Sequence, residues 1–153
     1  MSIFKIHRYG ARTERLEGRL LTLEAPGKPK LHIATPSDFM NDASDVWSPE
    51  ELLIGSLAGC YELTLIAIAE HKDVPLHDVR VDATGHVEWK DGRYRFILFE
   101  LDVRLETDPA HVHELEHVAD LARERCIVSY ALDVPVHTHV ETRVCSVRSV
   151  VAV

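Results

Sequence analysis

The segment from Ser48 to about His71 constrains the fold of this chain more than any other. Ser48-Pro49-Glu50-Glu51 sets an N-cap serine before a first-turn proline, with a glutamate at the third helical position. That is a capping box plus the site proline favours, and two carboxylates suit the positive end of a helix dipole. The stretch that follows is apolar nearly all round through its middle. A helix of that kind has to be buried on several sides, so the rest of the chain must be arranged around it. Gly55, Ser56, Ala58 and Gly59 are small enough to let another backbone approach closely. With Glu62, and with Gly55, Ser56, Gly59 and Thr64 interrupting it, the stretch reads as too polar for a good membrane-spanning helix. Pro75 ends the unit.

Before the helix the chain reads as β. Phe4–His7, Leu21–Glu24 and Lys30–Ile33 alternate, with Pro26-Gly27-Lys28-Pro29 between the last two. The polar run from Thr35 to Val46 reads as a loop. After the helix, strands are expected near Val79–Trp89 and Tyr94–Glu106, joined at Lys90-Asp91-Gly92-Arg93 by the Asp-Gly pair that type I′ turns prefer. Asp108-Pro109 repeats the cap-plus-proline signal and opens a second helix through about Arg125. Its apolar positions Val112, Leu115, Val118, Ala119 and Ala122 recur at threes and fours. A short helical turn follows Cys126-Ile127-Val128-Ser129, and Val134–Val144 alternates as a last strand. The order β-β-β-α-β-β-α-β predicts an α+β fold with antiparallel sheets around the long helix.

The length of 153 residues fits a single domain spanning 1–153. A chain of this size buries roughly 68–70% of its unfolded surface, enough for a core without disulfide staples. Seventeen Lys+Arg against twenty-five Asp+Glu leave a net charge of −8. That acidity argues against nucleic acid as a partner, because neutralising phosphates takes clustered basic residues. The first residues, Met1 to Arg8, have no continuous apolar core of a signal peptide, so a cytoplasmic location is expected, with no membrane partner. In that compartment cysteines stay reduced unless they have redox work to do. Three widely spaced cysteines are not the even, dense framework of a small secreted protein.

Cys60 lies about three turns into the apolar helix, where a cysteine by itself reads as a small hydrophobe. Cys126 follows Arg123-Glu124-Arg125 at the end of the second helix. There the cations favour a thiolate and the helix C-terminus opposes it. Spacing alone does not say whether the two meet. Ser48-Pro49-Glu50-Glu51-Leu52-Leu53 followed by Ala58-Gly59-Cys60 resembles the first cysteine motif of the OsmC family, which includes osmotically inducible protein C and the organic hydroperoxide resistance proteins. Cys126-Ile127-Val128-Ser129, with Val134-Pro135-Val136 after it, resembles the second motif, in which proline more often stands where Ile127 does.

The resemblance covers nearly the whole chain and implies an intertwined homodimer. It also implies a thiol peroxidase that reduces organic hydroperoxides, with Cys60 peroxidatic and Cys126 resolving. A dithiol such as a lipoylated protein would reduce the resulting bridge, and no cofactor is implied. The chemistry is sound, since a thiolate is the nucleophile and a sulfenic acid condenses with a neighbouring thiol. A buried thiolate needs a counter-charge. The family supplies an arginine from the N-terminal loop, oriented by the glutamate after the helix-opening proline. Glu50 matches that glutamate, and Arg15, with Arg19 as the alternative, matches the arginine. Phe39, Trp47, Leu52, Leu53, Leu57 and Tyr61 are expected to line an apolar pocket suited to an alkyl or lipid hydroperoxide.

Two other readings stand beside this one. In the first, the same fold keeps a small-molecule pocket and uses Cys60 only as packing. In the second, the ten histidines hold a metal, His113-Glu114-Leu115-Glu116-His117 superficially matching His-Glu-x-x-His. That motif needs an open pocket and a third ligand, so the expectation is no metal. Cys145 has no assigned role.

Overall fold

The computed structural model describes residues 5–36, 39 and 45–145. Contacts within the chain cluster in two compact units, 1–53 and 54–153.

The N-terminal unit is a three-stranded antiparallel sheet of β1 (Arg12–Glu17), β2 (Leu20–Glu24) and β3 (Leu31–Ile33), in that spatial order. Gly18 (φ 51°) and Gly27 (φ 71°) make the reversals between strands, a backbone region that costs glycine nothing. The expected strand at Phe4–His7 is not found: residues 5–7 are not in a strand, and Phe4 lies outside the described residues. The first strand begins instead at Arg12. Every residue of β1 is exposed, so backbone pairing with β2 holds it rather than burial. Arg12 also reaches across to Glu24 at 2.6 Å, and Lys30 pairs with the same carboxylate. A strand with no apolar alternation leaves no periodicity to read. Of the expected loop from Thr35 to Val46, residues 37, 38 and 40–44 lie outside the described residues. Where description resumes, Trp47 bridges to Ile33 and its carbonyl accepts the Ala34 N–H at 2.9 Å.

The long helix α1 runs from Pro49 to His71. Its cap is the predicted box: the Ser48 hydroxyl accepts the Glu51 N–H at 3.1 Å, and the Glu51 carboxylate accepts the Ser48 N–H at 2.7 Å. At the other end Asp73 takes a positive φ of 54°, and the Val74 N–H bonds back to the Ala69 carbonyl at 3.0 Å. That six-to-one bond is the mark of a Schellman ending. Burial of α1 departs from expectation. Within the chain one stripe is buried, made of Leu57, Tyr61, Leu65, Ile68 and Ala69, while Leu63 is 69% exposed. The helix is also long and apolar enough to cross a bilayer, with a mean hydropathy of 1.8 over its best window, contrary to the sequence reading. Leu57, Tyr61 and Leu65 are nonetheless wholly enclosed by this chain, and the Tyr61 hydroxyl donates to the Ala119 carbonyl. Burial pushes the Tyr61 phenol up to about 12, so it remains a donor.

The second unit contains a sheet of β4 (Asp78–Lys90), β5 (Arg93–Thr107) and β6 (Val136–Val144), in that spatial order. Asp91 and Gly92 both have positive φ, 53° and 77°, as a type I′ turn demands. β4 and β5 pair antiparallel, but β6 runs parallel to β5, from Phe99 opposite Val136 to Thr107 opposite Val144. The sheet is therefore mixed rather than purely antiparallel. A parallel partner requires a long crossover, which the segment between β5 and β6 provides. The crossover holds a 3₁₀ turn (Pro109–His111), α2 (Val112–Arg125) and the five-residue α3 (Ile127–Ala131). Asp108 precedes the proline as predicted but makes no side-chain cap. Its carboxylate instead meets His77 Nε2 at 3.1 Å. The apolar face of α2 is buried as its spacing predicts, through Leu115, Val118, Ala119 and Ala122.

The Ser48 side chain is buried and satisfies an N–H that the helix itself leaves unpaired. Ser48→Ala is expected to lower stability by about 1 kcal/mol, read as a lower urea midpoint. An unchanged midpoint would show that the box contributes nothing.

Candidate active site

Cys60 is on α1, one residue before the fully buried Tyr61, and is itself half-buried. Cys126 is fully buried and joins two helices. Its N–H closes α2 on the Ala122 carbonyl at 2.9 Å, and it is the N-cap residue of α3, with φ −66° and ψ 110°. The role usually taken by a serine or aspartate oxygen falls here to sulfur: Cys126 Sγ accepts the Ser129 N–H at 3.4 Å. This double position settles the opposing effects expected at the end of α2. The Cys126 sulfur faces N–H groups of the next helix rather than bare carbonyls.

The two cysteines, 66 positions apart in sequence, are both free thiols and close enough for each to act on the other's acidity. Their acidities diverge. Burial pushes the Cys60 thiol up, but the Val128 N–H, the Cys126 thiol, the Ile127 N–H and the Thr64 hydroxyl together outweigh it. The net effect holds Cys60 below the usual thiol range. Cys126 is held above that range, first by burial and then by its hydrogen bond to Cys60, although the Ser129 and Val128 N–H groups act the other way. The pair thus has one more acidic sulfur, Cys60, and one less acidic, Cys126.

An open groove of about 790 Å³ runs beside Cys60. Gly59, Leu63, Ala67 and Ile68 supply its apolar lining, and His71, Lys72 and Arg125 its basic groups. Leu57 and Tyr61, expected as pocket residues, are wholly buried in the core and do not line this groove. A helix has one face toward the core at any position, and they sit on that face. Phe39, Trp47, Leu52 and Leu53 belong to the N-terminal unit, as do Arg15, Arg19 and Glu50. Arg15 and Arg19 are exposed, Arg15 within β1 and Arg19 in the turn after it. Glu50 Oε2 is buried with no hydrogen-bond partner among the described residues.

The sequence reading missed the Ser129 N–H, which donates to the Cys126 sulfur at 3.4 Å, and Thr64, whose hydroxyl donates to the Cys60 carbonyl at 2.7 Å. Main-chain donors leave no trace in residue identity, and the apparent N-cap at Cys126 was hidden because cysteine is not a usual capping residue. Cys145 is held above its ordinary range by a hydrogen bond to Glu106, and stands apart from the pair in sequence and in partners. Among the described residues no three His, Cys, Asp or Glu side chains converge as a metal site. His111 and His113 instead meet Glu114 and Glu116, at 2.7 and 3.3 Å.

Comparison with known proteins agrees with this architecture. The chain is 27% identical over 116 residues to the uncharacterized protein YmaD of Bacillus subtilis, covering 73% of this chain and 77% of that one. An OsmC-like protein of unknown function from Vibrio cholerae superposes with a TM-score of 0.80 at 18% identity, covering 89% of this chain and all (100%) of its own. An organic hydroperoxide resistance protein from Elizabethkingia anophelis gives a TM-score of 0.76 at 16% identity, covering 92% and 100%. One from Legionella pneumophila gives 0.71 at 20%, covering 90% and 98%. At these identities the structures establish the fold. The sequence pattern of the family described as OsmC-like protein matches residues 42–141, from ahead of the α1 cap into β6 and across both cysteines, and the chain belongs to that family.

Proposed function

We propose that this chain is a cysteine-based peroxidase for organic hydroperoxides, with Cys60 as nucleophile and Cys126 as resolving thiol. The observation that carries the reading is a free Cys60 lining an open groove with a second free cysteine, the buried Cys126, near enough to act on its acidity. In the reaction the Cys60 thiolate attacks one oxygen of ROOH. The O–O bond breaks, the alcohol ROH leaves after taking a proton, and Cys60 is oxidised to the sulfenic acid. The Cys126 sulfur then displaces water from that sulfenic acid to form a disulfide. An external dithiol returns both cysteines to thiols and is itself oxidised. A lipoylated protein in the cytoplasm is the proposed reductant. The apolar lining of the Cys60 groove favours an organic peroxide over hydrogen peroxide, and solved structures of the same fold include proteins named for organic hydroperoxide resistance.

Glu50 and Arg15, with Arg19 as the alternative, are proposed as the charged partners of this chemistry. The buried Glu50 oxygen, which has no hydrogen-bond partner among the described residues, is the feature expected of a carboxylate that answers a cation. The working unit is proposed to be a homodimer. A helix apolar all round, with only one stripe covered by its own chain, needs a second copy to cover the rest.

With cumene hydroperoxide, mass spectrometry is expected to find a Cys60–Cys126 bridge, and Cys60→Ser should lower turnover by at least about 10³-fold. Cys126→Ser should leave Cys60 as a sulfenic acid that a dimedone probe traps. Unmodified Cys60 after peroxide treatment would overturn the assignment. Because its thiolate is held below the ordinary range of about 8.5, the peroxide rate should stay flat as pH falls through that value. It should drop only below the lowered midpoint, and a decline centred near 8.5 would contradict the geometry. Sedimentation should give twice the 17.3 kDa chain mass, whereas a monomer at micromolar concentration would remove the dimer from the account.

A further inference from the structure

Thr64 stands one helical turn after Cys60 on α1, is half-buried, and lines the same groove. Its hydroxyl donates to the Cys60 carbonyl at 2.7 Å. Such a bond to the residue four back is ordinary for a helical threonine and by itself asks for no function. Its consequence for the groove is chemical. A hydroxyl has one proton and two lone pairs, so with the proton given to Cys60 the oxygen can offer the groove only an acceptor. The same hydroxyl helps to hold the Cys60 thiol below its usual range. Both groups that draw its proton, the carbonyl and the sulfur, therefore belong to Cys60. In either orientation the lone pairs are left for a ligand.

The other polar side chains of the groove are not placed for this role. Lys72 and Arg125 can only donate. His71 ends the helix, about 16 Å along its axis from Cys60. Ser56 lines the groove one turn before Cys60. Side chains lean toward the N-terminus of their own helix, so Ser56 leans away from Cys60 and Thr64 leans back over it. Apart from Cys60 itself, the remaining lining is apolar. A ligand lying against Cys60 in this groove therefore meets the Thr64 oxygen and needs a donor of its own to satisfy it.

An organic hydroperoxide has that donor. Its one O–H is on the terminal oxygen, the atom a thiolate attacks, because the other oxygen leaves as RO⁻. We infer that the Thr64 hydroxyl oxygen accepts the O–H of the bound hydroperoxide and so sets the terminal oxygen against the Cys60 sulfur. Holding the reacting atoms in line in this way lowers the entropy cost of attack. In the step the S–O bond forms and the O–O bond breaks, the sulfur being oxidised and the peroxide reduced. The terminal oxygen keeps its hydrogen, now as the Cys60 sulfenic acid, and RO⁻ takes a proton from water. The inference deepens the peroxidase reading and rests on it: Thr64 becomes a substrate-binding residue that selects peroxides carrying an O–H.

The test compares the parent with Thr64→Val, which keeps the branched shape and deletes the hydroxyl, and Thr64→Ser, which keeps the hydroxyl. Reduced protein is mixed with cumene hydroperoxide or with methyl methanethiosulfonate, and loss of the free Cys60 thiol is followed by peptide mapping. The thiosulfonate reacts with the same thiolate and brings no hydrogen-bond donor. Both rates are taken above the Cys60 midpoint of every variant, so that the thiolate fraction is equal. Thr64→Val should react about tenfold more slowly with the hydroperoxide and hold its thiosulfonate rate within about twofold. Thr64→Ser should keep both rates. An unchanged hydroperoxide rate in Thr64→Val, an equal fall with both reagents, or a fall in Thr64→Ser as deep as in Thr64→Val would overturn the inference. Should Thr64→Val not fold, Thr64→Ala gives the same contrast. The two ideas fail differently. A parent whose Cys60 reacts with the thiosulfonate and not with the hydroperoxide removes the peroxidase reading and the inference with it. A parent that reacts with both, matched by its valine variant, removes the inference alone.

Discussion

When one of two neighbouring thiols ionises, the groups around them decide which sulfur gives up its proton first. Here the Cys60–Cys126 contact is biased by main-chain donors at the start of α3. Burial alone would raise both thiols and leave both inert, since the charged form is the one that desolvation penalises. The groups around Cys60 outweigh that penalty, whereas Cys126 stays above the usual thiol range. Several elements of the second unit fix the positions of these two residues. The α1 core stripe fixes the rod that carries Cys60, and the Tyr61 hydroxyl ties that rod to α2 at Ala119. The break between α2 and α3 puts Cys126 where a helix ends and the next begins.

That break also explains how the sheet serves the site. β6 lies parallel to β5, so the chain must cross over between them, and the crossover is where Cys126 resides. A hairpin in its place would have room for neither α2 nor the junction. The type I′ turn at Asp91-Gly92 closes the β4–β5 pair, which leaves the other edge of β5 for β6.

Features set by local chemistry were legible in the sequence. The capping box at Ser48 and Glu51, the Asp91-Gly92 turn and the apolar face of α2 each follow from a few neighbouring residues whose physics is self-contained. The resemblance pointed to Cys60 and Cys126 as a pair, which spacing could not do. Features set by backbone were not legible. β1 has no alternation because nothing buries it, and a donor such as the Ser129 N–H looks the same in every residue but proline. Leu57 and Tyr61 face the core rather than the Cys60 groove, because apolar character on an all-round apolar helix does not say which face meets the core.

The central claim is that one sulfur of the pair is the reactive thiolate and the other holds the proton. Treatment of the reduced protein at pH 7 with less than one equivalent of iodoacetamide, followed by peptide mapping, tests it most directly. Label is expected almost wholly on Cys60, with Cys126 modified only after the protein is unfolded. Label on Cys126 first, or equally on both, would contradict the account.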